Sequence, residues 1–147
     1  MNCVFLGPPG AGKGTLALEV AKEYGMSHIS TGDLFRLAIK NGTELGKKAK
    51  AIMDSGALVG DDVTIGLLKE RLEKDDWKKN GFILDGFPRT LPQVDALSSL
   101  VKIDYVINLE ISNEEVIERL SGRRICSGCG KSFHIKFMQP KQEGICD

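Results

Sequence analysis

The sequence predicts an α/β fold in which a parallel sheet is covered by helices. Three observations carry this. Short, nearly continuous apolar runs stand at residues 3–6, 81–85 and 105–109; segments of helical periodicity separate them; and glycine, proline or aspartate marks most of the junctions. Strands buried on both faces read as unbroken hydrophobic runs, and ligands of such sheets gather beyond the carboxyl ends of the strands.

Cys3-Val4-Phe5-Leu6 is the first strand, and the glycine-rich run Gly7-Pro8-Pro9-Gly10-Ala11-Gly12-Lys13-Gly14-Thr15 leads from it into a helix over 16–24. His28-Ile29-Ser30 is a short strand ending at Thr31-Gly32-Asp33, and a helix over 34–40 follows until Asn41-Gly42 breaks it. Leu45, Ala49, Ile52 and Met53 then recur at helical spacing over 44–54, which reads as a helical insertion. Residues 56–60 form a turn, and Asp61-Asp62 caps a helix running through Ile65, Leu68 and Leu72 toward Trp77. The strand 81–85 ends on Asp85, Pro88 restarts a helix that runs to Leu100, and the strand 105–109 precedes a helix over 113–120. From Gly122 onward periodicity gives way to a basic, cysteine-bearing stretch.

At 147 residues the chain has room for one moderate core and small insertions. Twenty basic and twenty acidic residues cancel, so no global charge draws nucleic acid or an anionic membrane, and any anion site must be local. Neither a secretory leader nor an apolar run of about 18 residues is present, so a cytoplasmic protein is expected.

The run from Gly7 to Thr15 reads as a phosphate-binding loop. A polyphosphate needs many inward-pointing N–H donors and a cation. Glycines let the backbone approach it, the new helix adds the partial positive charge of its N-terminus, and Lys13 is placed to bridge the outer phosphates. The loop departs from the general pattern in one place: Gly14 stands where a hydroxyl normally follows the lysine, so Thr15 takes the metal side. Asp85, at a strand end, suits magnesium held through water, and the rigid turn after it aims Arg89, whose planar fork matches phosphate, toward the same strand ends. Cys3 reads as a small buried hydrophobe. Cys126, Cys129 and Cys146 read as three ligands of a structural zinc, the first two in a C-x-x-C turn.

The loop from Gly7 to Thr15, Thr31-Gly32-Asp33-Leu34-Phe35-Arg36 and Asp85-Gly86-Phe87-Pro88-Arg89-Thr90, in this order, resemble the adenylate kinases. The resemblance implies a P-loop NTPase-type sheet and the reaction ATP + AMP ⇌ 2 ADP with Mg²⁺. It implies a discontinuous core at 1–29 and 60–121, an AMP-binding insertion at 30–59 and a partial lid at 122–147. It assigns Gly10, Ala11, Gly12, Lys13, Gly14 and Thr15 to the ATP phosphates, with Arg119, Arg123, Ser132 and Phe133 also on the ATP side. To AMP it assigns Thr31, Arg36, Ala57, Leu58, Val59, Gly86, Phe87, Pro88, Arg89 and Gln93, with Arg36 and Arg89 gripping the phosphate and Gln93 reading the adenine. Lys13, Asp85, Arg89 and Arg123 carry the catalytic roles.

Many bacterial members hold zinc in the lid through a fourth Cys or Asp about three residues past the third cysteine, a position beyond Asp147. The resemblance also implies two further arginines, a fifth strand and a closing helix there. The stretch as written is therefore expected to be an incomplete, weakly active or inactive piece, acting as a monomer on small nucleotides, with neither nucleic acid nor membrane as partner. Two other readings stand beside it: a kinase of UMP, CMP or GMP, and a non-catalytic nucleotide- or zinc-binding fragment.

Overall fold

The computed structural model describes residues 1–147 except Gly56 and Leu58. The chain divides into two compact units, one made of Met1–Leu6 and Lys13–Asn108, the other of Gly7–Gly12 and Leu109–Asp147.

The first unit is built on four parallel strands in the order β2-β3-β1-β4, namely β1 (Asn2–Leu6), β2 (Ser27–Ser30), β3 (Phe82–Asp85) and β4 (Tyr105–Asn108). The fold class predicted above is the one observed. The two central strands are buried along their length, as their unbroken apolar runs require. On one face Val4, Ile29, Phe82 and Leu84 join Leu68, Leu72, Phe87 and Leu97 in the main core, while helix α1 (Lys13–Tyr24) buries Ala17 and Ala21 and packs against β3. Cys3, 4 % exposed, is a core residue. The edge strand β4 differs from its neighbours: Tyr105 and Val106 are 59 % and 60 % exposed.

Helices α2 (Thr31–Asn41), α3 (Glu44–Asp54) and α4 (Asp61–Leu72) enclose a second cluster of Ala38, Ala49, Val63 and Leu67. Gly42, in the left-handed conformation that a glycine adopts without strain, stops α2, and the Thr43 hydroxyl caps α3 by accepting from the Gly46 N–H. Two expected boundaries are corrected. Gly60, not an aspartate, occupies the cap position of α4, and the helix ends at Leu72 rather than near Trp77. Trp77 instead folds back, its indole N–H donating to the Leu72 carbonyl and its ring meeting Phe82 edge-on. Helix α5 (Leu91–Leu100) starts three residues after Pro88, capped by Thr90.

The second unit holds the loop Gly7–Gly12, helix α6 (Asn113–Ser121) and an antiparallel pair, β5 (Arg123–Ile125) with β6 (Ser132–His134), in the stretch where no regular structure was expected. Ser112 and Glu115 close a capping box on α6. Among the described residues no apolar side chain after Leu97 is buried, and no helix is long and apolar enough to cross a membrane.

Candidate functional site

In the first unit Thr31, Gly86, Arg89 and Gln93 come together beside Asp85, where β3 ends. Asp85 is largely buried, its carboxylate 3.9 Å from the His28 imidazole and pressed against the first turn of α1. A Cβ on Gly14 would stand 3.0 Å from Asp85 Oδ2, tighter than a rigid neighbour tolerates. To admit a side chain after Lys13, that carboxylate would have to give by a few tenths of an ångström. His28 Nε2 is buried without a hydrogen-bond partner, and burial pushes its pKa down against the opposing pull of Asp85 and Asp33.

The next residue, Gly86, is a junction. Its carbonyl accepts from the Thr31 hydroxyl at 3.1 Å and from Arg89 Nε at 2.8 Å. Its φ of 79° and the crowding that a Cβ would meet at Thr31 Oγ1, 2.8 Å away, require glycine here. Gln93, only 5 % exposed, accepts from the Arg89 backbone N–H at 2.8 Å and donates to Asp61 at 2.6 Å. Thr31, Gly86, Arg89 and Gln93 are thus joined by hydrogen bonds. Arg36 is exposed and paired with Asp33 one turn before it on its own helix. It helps line a concavity of about 340 Å³ with His28, Ser30, Lys40 and Arg71, which does not include Thr31, Arg89 or Gln93. The Phe87 side chain is fully buried in the core, Pro88 is half-buried, Val59 packs against the α2–α4 cluster, Ala57 is exposed, and Leu58 lies outside the described residues.

Lys13 opens α1, with Thr15 exposed in the same first turn. In this unit the Asp85 carboxylate and the Thr15 hydroxyl are oxygen donors of the kind a hydrated magnesium ion takes, few in number.

In the second unit Gly7, Gly10 and Gly12 have φ of 136°, 85° and 89°, so three residues of the loop adopt backbone that other residues rarely enter. Ala11 N–H donates to the Pro8 carbonyl, tightening the turn. Arg119 Nη1 donates to the Gly10 carbonyl at 3.4 Å, and Arg123 Nη2 donates to Ser132 Oγ at 3.0 Å across the β5–β6 pair. Phe133 lies beneath the Lys131 ammonium. Arg124 turns away to the carbonyls of Ser121 and Arg123.

The sulfurs of Cys126, Cys129 and Cys146 lie within 4.8 Å of one another, with Cys129 and Cys146 at 3.4 Å. Zinc–thiolate bonds of about 2.3 Å in a tetrahedron put sulfurs ~3.8 Å apart, so the three fit such an ion. The C-x-x-C turn is built for a thiolate: N–H groups of Cys129 and Gly128 pull the Cys126 pKa down to about 7, whereas sharing hydrogen bonds with Cys129 and Cys126 pushes Cys146 up to about 12. The Asp147 carboxylate is taken by Lys131 and by the backbone N–H of Lys141.

The residue that sequence reasoning missed is Asp61. It reads as a helix-start carboxylate, and nothing in its local pattern signals a bond to Gln93, 32 positions away.

Comparison with known proteins gives a family. Residues 5–145 match the family model described as adenylate kinase. The chain is 73 % identical over 147 residues to an adenylate kinase of Treponema denticola, and 56 % identical over 152 aligned positions to adenylate kinases of Oceanobacillus iheyensis and Staphylococcus aureus. In each case all of this chain is covered, and it spans 70 % of the relative's length.

Proposed function

The chain belongs to the adenylate kinase family, nucleoside monophosphate kinases that use Mg·ATP, and from that premise we propose the following division of labour for ATP + AMP ⇌ 2 ADP. The observation that carries it is the Gly86 carbonyl holding Thr31 and Arg89 together immediately after Asp85.

Arg89 and Arg36 bind the monophosphate, and Thr31, Gly86 and Gln93 position AMP, with Ala57, Leu58, Val59, Phe87 and Pro88 around it. For Arg36 this requires exchanging its Asp33 partner for phosphate, which its exposure permits. Gly10 to Thr15 wrap the ATP phosphates, Lys13 neutralises charge on the transferring group, and Arg119, Arg123, Ser132 and Phe133 serve the ATP side. Asp85, through water, and Thr15 would hold magnesium, which would supply neutralisation of the phosphate oxygens. An AMP phosphate is already anionic, so no general base is needed; positioning, charge neutralisation and exclusion of water are the work of these side chains. Residues 30–59 act as the AMP-binding insertion and residues 122–147 as a lid, joined to a core of 1–29 and 60–121. Cys126, Cys129 and Cys146 hold a structural zinc. Metal-held thiolates of this kind suit a reducing cytoplasm, the location we propose.

The test is ADP formation from ATP plus AMP by the purified chain. Because the chain spans 70 % of its relatives' length, we expect turnover to be weak, to appear only with Mg²⁺ and to vanish in Lys13→Ala. UMP, CMP or GMP serving as well as AMP would replace the adenylate assignment with that of another monophosphate kinase. ADP formed equally by Lys13→Ala would overturn the role of the loop.

A further inference from the structure

We propose that Asp61 is a positioning residue that fixes which way the Gln93 amide faces, and thereby makes the site selective for an adenine over a base of opposite hydrogen-bonding polarity. The inference rests on the reading of Gln93 as the adenine contact.

The buried Gln93 amide has two neighbours of opposite character. The Arg89 backbone N–H can only donate, and it meets Oε1 at 2.8 Å; the Asp61 carboxylate can only accept, and it meets Nε2 at 2.6 Å. Turning the amide over would set two donors against each other on the Arg89 side and two acceptors on the Asp61 side. Both bonds would be lost at an amide only 5 % exposed, a costly case for a polar group. The orientation is therefore single. Asp61 is itself held. Its other oxygen accepts from the Thr90 hydroxyl at 2.9 Å, and Thr90 Oγ1 accepts from the Gln93 backbone N–H at 3.4 Å. Asp61 starts α4 and Thr90 caps α5, so the starts of two helices are tied to one amide.

After these bonds Oε1 keeps one lone pair and Nε2 one hydrogen. They form an acceptor–donor pair whose order cannot be exchanged. Adenine presents an exocyclic N–H donor beside a ring-nitrogen acceptor; hypoxanthine presents a carbonyl acceptor beside a ring N–H donor. A freely turning amide serves either base, and a locked one serves only the first.

The test is direct binding of AMP, of inosine monophosphate and of ribose 5-phosphate to the full chain by calorimetry. The unmutated chain should prefer AMP. In Asp61→Ala that preference should shrink by ~10-fold or more, with ribose 5-phosphate affinity within about twofold. Asp61→Asn, which keeps an acceptor toward Nε2, should restore the preference. Full AMP preference in Asp61→Ala, or equal loss in Asp61→Asn, overturns the proposal. A measurement without substitution guards against a variant that does not fold: in the unmutated chain the Gln93 side-chain NH₂ should give one proton protected from exchange, and two rapidly exchanging protons also overturn it. Gln93→Ala separates the two layers. If it abolishes AMP preference while Asp61→Ala keeps it, only the role of Asp61 falls; if it leaves the preference intact, the adenine-contact reading falls and this inference with it.

Discussion

His28 shows what a single side chain contributes beyond its type. It sits on β2 with its Nε2 enclosed and unpartnered, facing Asp85, and Asp33 also acts on it. Burial holds its pKa below the ordinary 6.5. The unfolded chain takes up a proton near pH 6.5, the folded chain only at lower pH, so between the two values the unfolded state binds more protons. Stability is then complete above pH 6.5 and declines as pH falls through the window beneath it. Melting temperature measured from pH 7.5 to 5, without magnesium or nucleotide, should drop more steeply for the unmutated chain than for His28→Gln. Parallel curves would show that the imidazole takes up its proton equally in the folded and unfolded chain. Gly14 makes the companion point. The sequence reveals that a hydroxyl is missing after Lys13 but not what stands beside that turn, because the Asp85 carboxylate is brought there from a distant strand.

Elements were legible in proportion to the length of their pattern. Helix α3 runs over the residues that its spacing marks, and β1 and β3 follow from unbroken apolar runs. Helix α4 was read too long because Trp77 continues its apolar series, whereas the structure uses that indole as a cap on Leu72 and a partner for Phe82. The β5–β6 pair escaped notice since three-residue strands have no measurable period. The bonds within the site, Gln93 to Asp61 and Thr31 to Gly86, were invisible for a similar reason: motifs name residues, while tertiary folding chooses their partners. The thiol cluster was readable because C-x-x-C is local. Its consequence belongs to this scale. With no buried apolar side chain among the described residues after Leu97, the β5–β6 pair lacks a core of its own, and the zinc proposed for the three cysteines would supply its rigidity. Chain loaded with zinc and then stripped by a chelator should be cleaved within 122–147 at least ~10-fold faster under limited proteolysis, while cleavage within 60–100 is unchanged. Equal cleavage of loaded and stripped chain would dismiss a structural metal.

For the molecule as a whole the decisive quantities are its balance of charge and its sheet edge. Twenty positive and twenty negative groups give no net charge at neutrality and a pI near 6.7, so long-range repulsion between copies is minimal at ordinary pH. Strand β4 meanwhile presents Tyr105, Val106 and Ile107, each more than 40 % exposed, at the end of the four-stranded order among the described residues. Natural sheets blunt such an edge with charge, proline or a bulge, and the run Tyr105-Val106-Ile107-Asn108 has none of the first two. Self-association should therefore be worst near pH 6.7 and ease on either side. Val106→Lys, which puts a cation on the edge without touching the core, should raise the saturating concentration several-fold and flatten its dependence on pH. Light scattering across pH 5.5–8.5 on both proteins decides the matter. A minimum of solubility at pH 6.7 that persists unchanged in Val106→Lys would mean that net charge alone governs association and that the exposed strand plays no part.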